Sequence, residues 1–137
     1  TNQDVQSFSA KWESRAYSYS EPMAYLYEPN ASLLKADLVN ALSQQLKIPK
    51  LHPNTQLLTH SQKLSNFPGK VYAVTHLLKP FANQLNKQRF NVVVKNYPTK
   101  APAIEQKLKL KPANTSYLFA TQSLKQKLFI TAELEMA

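Results

Sequence analysis

Gly69 is the only glycine in a chain of 137 residues. Glycine lets a backbone pass close to a bound phosphate or turn through positive φ, and Rossmann and P-loop turns need several of them. Both are therefore excluded. Cysteine is absent, which removes disulfide frameworks and thiolate zinc sites and leaves a cytoplasmic location as the expectation. With 43% hydrophobic residues the chain can bury one core or two small lobes. No apolar run approaches the roughly 20 residues of a membrane span. Thr1 to Ala10 also lacks the basic-then-apolar layout of a signal peptide, so no membrane contact is expected.

Charge divides the chain. Residues 1–62 hold five bases and five acids, while residues 63–137 hold twelve bases and three acids, so the whole net charge of +9 lies in the second half. Between Asp37 and Glu105 there are nine Lys or Arg and no acid. Clustered cations raise the local concentration of phosphates and steer their approach, which points to a polyanionic partner; a solvated lysine surface is the plainer alternative.

From Asn30, a candidate cap, the apolar residues Leu33, Leu34, Leu38, Ala41, Leu42 and Leu46 recur at helical spacing until Ile48-Pro49. Met23–Tyr27 before this helix reads as a strand and Leu51–Thr59 after it as extended, a small βαβ-like unit over residues 21–62. Ser61–Pro68 has turn composition and coincides with the charge switch, so it is the expected lobe boundary. Beyond it, the expectation is strands at Val71–Leu78 and Phe90–Lys95 separated by a short helix at Phe81–Lys87. A further helix begins at Pro102 and carries Ile104 and Leu108, and a hairpin joins Thr115–Thr121 to Leu128–Leu134. This second lobe, residues 63–137, reads βαβαββ, and the fold class is α+β with helices packed on one sheet. Residues 1–20, with Phe8, Trp12, Tyr17 and Tyr19, lack clean periodicity and read as a linker or the tail of something upstream.

Catalytic readings are weak. His52, His60 and His76 lack nearby carboxylates for a metal site, and no Gly-x-Ser-x-Gly elbow exists. Glu133 and Glu135 share one side of a strand but read as surface residues near the chain end. Tyr25 and Tyr27 alternate onto one face, where packing on the Leu-rich helix is the economical reading. Tyr72, Tyr97, Phe81 and Phe90 are interleaved with Lys70, Lys79, Lys87, Arg89 and Lys95, a mixture that single-stranded RNA binders use.

The segments YLYEPNASLLKA (Tyr25–Ala36), KLHPNTQLLT (Lys50–Thr59), NFPGKVYAV (Asn66–Val74) and KLKLKPANTSYLFAT (Lys107–Thr121) resemble the C-terminal region of a bacterial family of class I S-adenosylmethionine-dependent methyltransferases. The resemblance runs over roughly residues 22–135, in order and at compatible spacing. It implies a small ferredoxin-like piece followed by a THUMP-like lobe, with the catalytic domain upstream of Thr1. That missing domain would hold S-adenosylmethionine and its glycines; a chain with one glycine is expected to hold no cofactor itself. THUMP-related domains are associated with RNA-modifying enzymes. The expectation is then a non-catalytic RNA-binding region, for tRNA or rRNA, that uses Lys70, Lys79, Lys87, Arg89, Lys95 and Lys100 for phosphates and Tyr97 for stacking. The rival expectation is a structural module that packs on the methyltransferase domain or mediates a homodimer through an apolar patch including Phe8, Trp12 and Tyr17. Binding to an anionic membrane ranks last, because the best helix, over residues 30–46, is not basic.

Overall fold

The structure, a computed structural model, describes residues 15–136. Strand β1 (Tyr25–Pro29) alternates as its sequence requires: Tyr27 enters one core and Leu26 another on the opposite face. The helix expected over residues 30–46 is two helices, α1 (Ala31–Lys35) and α2 (Val39–Leu46). The break falls at Asp37, whose φ of 56° is left-handed. Leu38 N–H donates to the Leu33 carbonyl at 3.0 Å and Asp37 N–H to that of Leu34 at 3.2 Å, which closes α1 in a Schellman turn. Both helices can then present apolar residues to Tyr27, with Leu33, Leu38, Val39 and Leu42 all buried around it. Asn30 precedes α1 but its side chain makes no capping bond.

The extended segment after the helices is a tight hairpin of β2 (Lys50–His52) and β3 (Thr55–His60). Strand β1 pairs antiparallel with β3, Tyr25 opposite His60, and β2 lies outside β3, so β1 and β2 run parallel with β3 between them, a split form of the βαβ-like unit. Strand β4 (Gly69–Leu78) pairs with β1 on one side and with β7 (Lys127–Leu134) on the other. Both halves of the chain therefore contribute to one seven-stranded sheet of order β2-β3-β1-β4-β7-β6-β5. Strands β5 (Asn91–Lys95) and β6 (Ser116–Gln122) are parallel, joined through α3 (Ala101–Leu108); β6 and β7 form the hairpin read from sequence. The helix expected at Phe81–Lys87 is a single 3-10 turn at Asn83–Leu85. Left-handed backbone at Phe81 (φ 59°) and Lys87 (φ 65°) brackets it, and a continuous helix cannot pass through either residue.

Both helical layers lie on one face of the sheet. Helices α1 and α2 cover Tyr27 and Leu58, while α3 and the 3-10 turn cover Leu118, Ala120 and Phe129. The other face buries Leu26, Tyr72, Phe119 and Ile130. The sheet curls toward that second face until its ends meet. Asn96, just past β5, donates to Thr55 Oγ1 on β3 at 3.1 Å, and Lys95 Nζ lies 3.3 Å from the Glu28 carboxylate on β1. The α+β class with helices on one sheet holds.

Candidate nucleic-acid interface

The chain runs past itself at one corner of the C-terminal half. Lys87 N–H donates to the Leu108 carbonyl at 2.9 Å, Phe90 N–H to that of Lys111 at 2.9 Å, and Lys111 N–H to that of Gln88 at 3.0 Å. These bonds join residues 87–90 to residues 108–111, with Arg89 and Lys111 as direct bridge partners. Their Cα atoms are held about 5 Å apart, the spacing of paired strands. Two residues before each of them stand Lys87 and Lys109, and all four cations are exposed. Helix α3 makes the geometry possible by ending at Lys109 in left-handed conformation (φ 55°), where Leu110 N–H returns to the Glu105 carbonyl at 2.9 Å. Arg89 Nη1 also reaches the Pro112 carbonyl at 3.4 Å. Among the described residues the ion pairs are Lys63 with Glu135 and Lys95 with Glu28, so none of these four cations is paired with a described carboxylate.

Lys109 and Lys111 lie outside the acid-free window that directed attention to residues 38–104. The alternating run Lys107-Leu108-Lys109-Leu110-Lys111 was the sequence signal for them. Of the residues expected to contact RNA, the structure brings Lys87 and Arg89 into this cluster. Lys70 and Lys79 are exposed but stand near opposite ends of β4, about 30 Å apart at the rise of a strand. Lys100 is exposed at the start of α3. Lys95 is half-buried in its pair with Glu28, and Tyr97 packs edge-on against Phe129 with ring centroids 5.3 Å apart. Burial raises the Tyr97 phenol above its usual range. Lys107 is spent on the Phe81 ring, with Nζ 4.5 Å from its centroid.

The Glu28 carboxylate organises the concave face, accepting from Tyr72 Oη at 2.8 Å while it faces Lys95. Burial, then the hydrogen bond to Glu28 and its charge, push the Tyr72 phenol far above its usual value of 10.0. A raised folded-state value contributes stability that is full below pH 10 and is lost as pH climbs beyond it, at about 1.4 kcal/mol per pH unit. Tyr72→Phe is therefore expected to cost about 1–2 kcal/mol at neutral pH. It should also flatten the alkaline limb, so that melting temperatures of variant and wild type converge above pH 10. Parallel curves would show that Tyr72 is not linked to folding. Lys50, 1% exposed, donates from Nζ to Asn40 Oδ1 and the Pro53 carbonyl, both at 3.0 Å; burial lowers its pKa against the opposing charge of Asp37.

Other chemistry finds little footing. His52 Nδ1 accepts from Asn54 N–H, His60 Nδ1 from Gln62 N–H, and His76 stands on β4, so the three are dispersed. No group of three potential ligands for a metal ion occurs among the described residues. Glu133 and Glu135 do not act as a pair. Glu135 bridges to Lys63, whereas Glu133 is half-buried and accepts from Thr115 Oγ1 at 2.9 Å and from Ser116 Oγ, which corrects its reading as a surface residue. Tyr27 is buried as expected, its hydroxyl accepting from Leu64 N–H and donating to the Gln62 carbonyl, each at 2.9 Å. Tyr17 is 51% exposed, and Phe8 and Trp12 lie outside the described residues. Among the described residues no helix is long and apolar enough to cross a membrane.

Residues 25–68 match a family described as a ferredoxin-like domain. The match spans β1 through the loop before β4 and ends at Pro68, the last residue of the Ser61–Pro68 stretch. Among solved structures the chain is similar to one described as a putative methyltransferase from Porphyromonas gingivalis W83, with a TM-score of 0.75 and 23% identity. That likeness covers 86% of this chain and 31% of the other, and at this identity it shows the fold. No curated protein is matched.

Proposed function

We infer that this chain is the C-terminal, non-catalytic region of a cytoplasmic S-adenosylmethionine-dependent methyltransferase, and that it binds RNA and positions it for a catalytic domain upstream. The observation that carries the RNA assignment is the cluster of Lys87, Arg89, Lys109 and Lys111, exposed on one backbone ladder and unpaired with any described carboxylate. Such a ladder recognises phosphate spacing and leaves sequence to other contacts. The methyltransferase assignment is supported by the shared fold over 31% of the Porphyromonas gingivalis chain, which leaves most of that protein's length for another domain. In this reading the ferredoxin-like unit carries the THUMP-like basic half, and the cofactor belongs to the upstream domain.

Fluorescence anisotropy tests it, with a structured tRNA or rRNA fragment, a single strand and a heparin competitor across a salt series. Four phosphate contacts predict a log–log slope of affinity against salt of about −3 on a single strand. Binding that exceeds the heparin control at physiological salt is the expected result. Equal competition by heparin at every salt would mean that the lysines are only solvated, and the structural role against the methyltransferase domain would replace this reading.

A further inference from the structure

Beside the basic ladder, between the Gln84–Phe90 segment and strands β4, β6 and β7, the helix-bearing face of the sheet opens into a cleft of about 530 Å³. Its floor is polar for a structural reason. Pairing of β4 with β7 shifts register between Val74 and His76, so Thr75 is an extra residue and both Thr75 and His76 stand opposite Thr131. Bulges of this kind re-aim side chains and recur beside functional sites. Thr75 Oγ1 lies 2.6 Å from Thr131 Oγ1, and His76 Nδ1 lies 3.4 Å from the same atom. Two residues along β7, the Glu133 carboxylate is fixed by the hydroxyls of Thr115 and Ser116. A carboxylate has about four acceptor directions, so two remain for a ligand. Arg89 lines the cleft and also belongs to the ladder.

We propose that this cleft receives an unpaired guanine base of the bound RNA, an inference that rests on the RNA-binding reading of the ladder. A carboxylate next to a phosphate site repels phosphate and accepts hydrogen bonds only, so the group it takes must present donors. Guanine is the natural base with two adjacent donors, N1–H and the 2-amino group, on its Watson–Crick edge, and these match a carboxylate in bidentate geometry. The hydroxyls and the His76 ring on the floor supply partners for the remaining edge. Arg89 and Lys111 hold the adjoining phosphate, so the cleft reads a base only where the ladder has already engaged the backbone.

The test uses the full chain and short labelled uridine oligonucleotides that carry one central guanosine, inosine or adenosine, or none. Inosine lacks the 2-amino group and nothing else. The guanosine strand is expected to bind about tenfold more tightly than the inosine strand, the worth of one hydrogen bond to a charged acceptor. Glu133→Gln is expected to abolish that difference, with circular dichroism and thermal unfolding as the check on its fold. Equal binding of the guanosine and inosine strands by the wild type, or a guanosine preference that survives in Glu133→Gln, overturns the cleft assignment and leaves the ladder standing. Failure to bind any strand overturns both.

Discussion

Gly69→Ala is expected to destabilise the protein by about 3 kcal/mol, at the upper end for overpacking, and to lower the melting temperature by about 10 °C. The reason is a close approach between two strands. A Cβ at position 69 would stand 2.1 Å from the Glu28 carbonyl oxygen and 2.9 Å from both Pro29 Cα and the Phe67 ring. Two of these three atoms are backbone, so no side-chain rotation relieves the clash. Nor can β1 retreat, since it is pinned between β3 and β4 and Pro29 is in register with Gly69. Displacing Glu28 would also loosen its bonds to Tyr72 and Lys95, which hold the curled sheet together. Thermal unfolding followed by circular dichroism checks this, and a variant melting within about 1 °C of wild type would mean that the junction relaxes freely.

The same residue explains what the sequence could and could not disclose. A single glycine argues against phosphate-wrapping loops, but it sets no limit on left-handed turns elsewhere in the chain. Helix ends at Asp37, Lys47 and Lys109 adopt positive φ without glycine, and Phe81 and Lys87 do so around the 3-10 turn. Each costs about 1–2 kcal/mol in intrinsic terms, offset at the helix ends by carbonyls that find partners. Lysine and phenylalanine carry no signature for this conformation and aspartate only a mild preference, so the local sequence marks neither the helix break at Asp37 nor the ends of the 3-10 turn at Phe81 and Lys87. Strands were legible where alternation met turn residues, as in β4 and in the β6–β7 hairpin. The pairing of β1 with β4, which joins the two halves in one sheet, depends on contacts between residues 40 to 48 apart and leaves no local trace. Half of the basic ladder was found from charge alone. The other half required knowing that residues 87–90 and 108–111 are hydrogen-bonded, because Glu105 had closed the acid-free window in the sequence while the fold sets the two segments side by side.

Neutralising Lys87, Arg89, Lys109 and Lys111 together, each to Gln, is expected to weaken RNA binding about 100-fold near physiological salt and to reduce the salt slope by about 3. The two numbers must move together, since both count the counterions that phosphate contacts release. Glutamine keeps a polar side chain of similar character at these exposed positions, and the ladder's bonds come from backbone groups, so thermal stability should stay within about 0.5 kcal/mol of wild type. Neutralising Lys70, Lys79 and Lys100 is the matched control. It removes three exposed charges, but from separated positions on the sheet and at the start of α3, and one strand of RNA following the ladder cannot meet all three at once. The expected loss there is a few-fold, with a slope change near one contact, about 0.7. Equal losses for the two variants would mean that net charge alone governs binding. An unchanged slope in the fourfold variant would move the phosphate site away from this corner of the molecule.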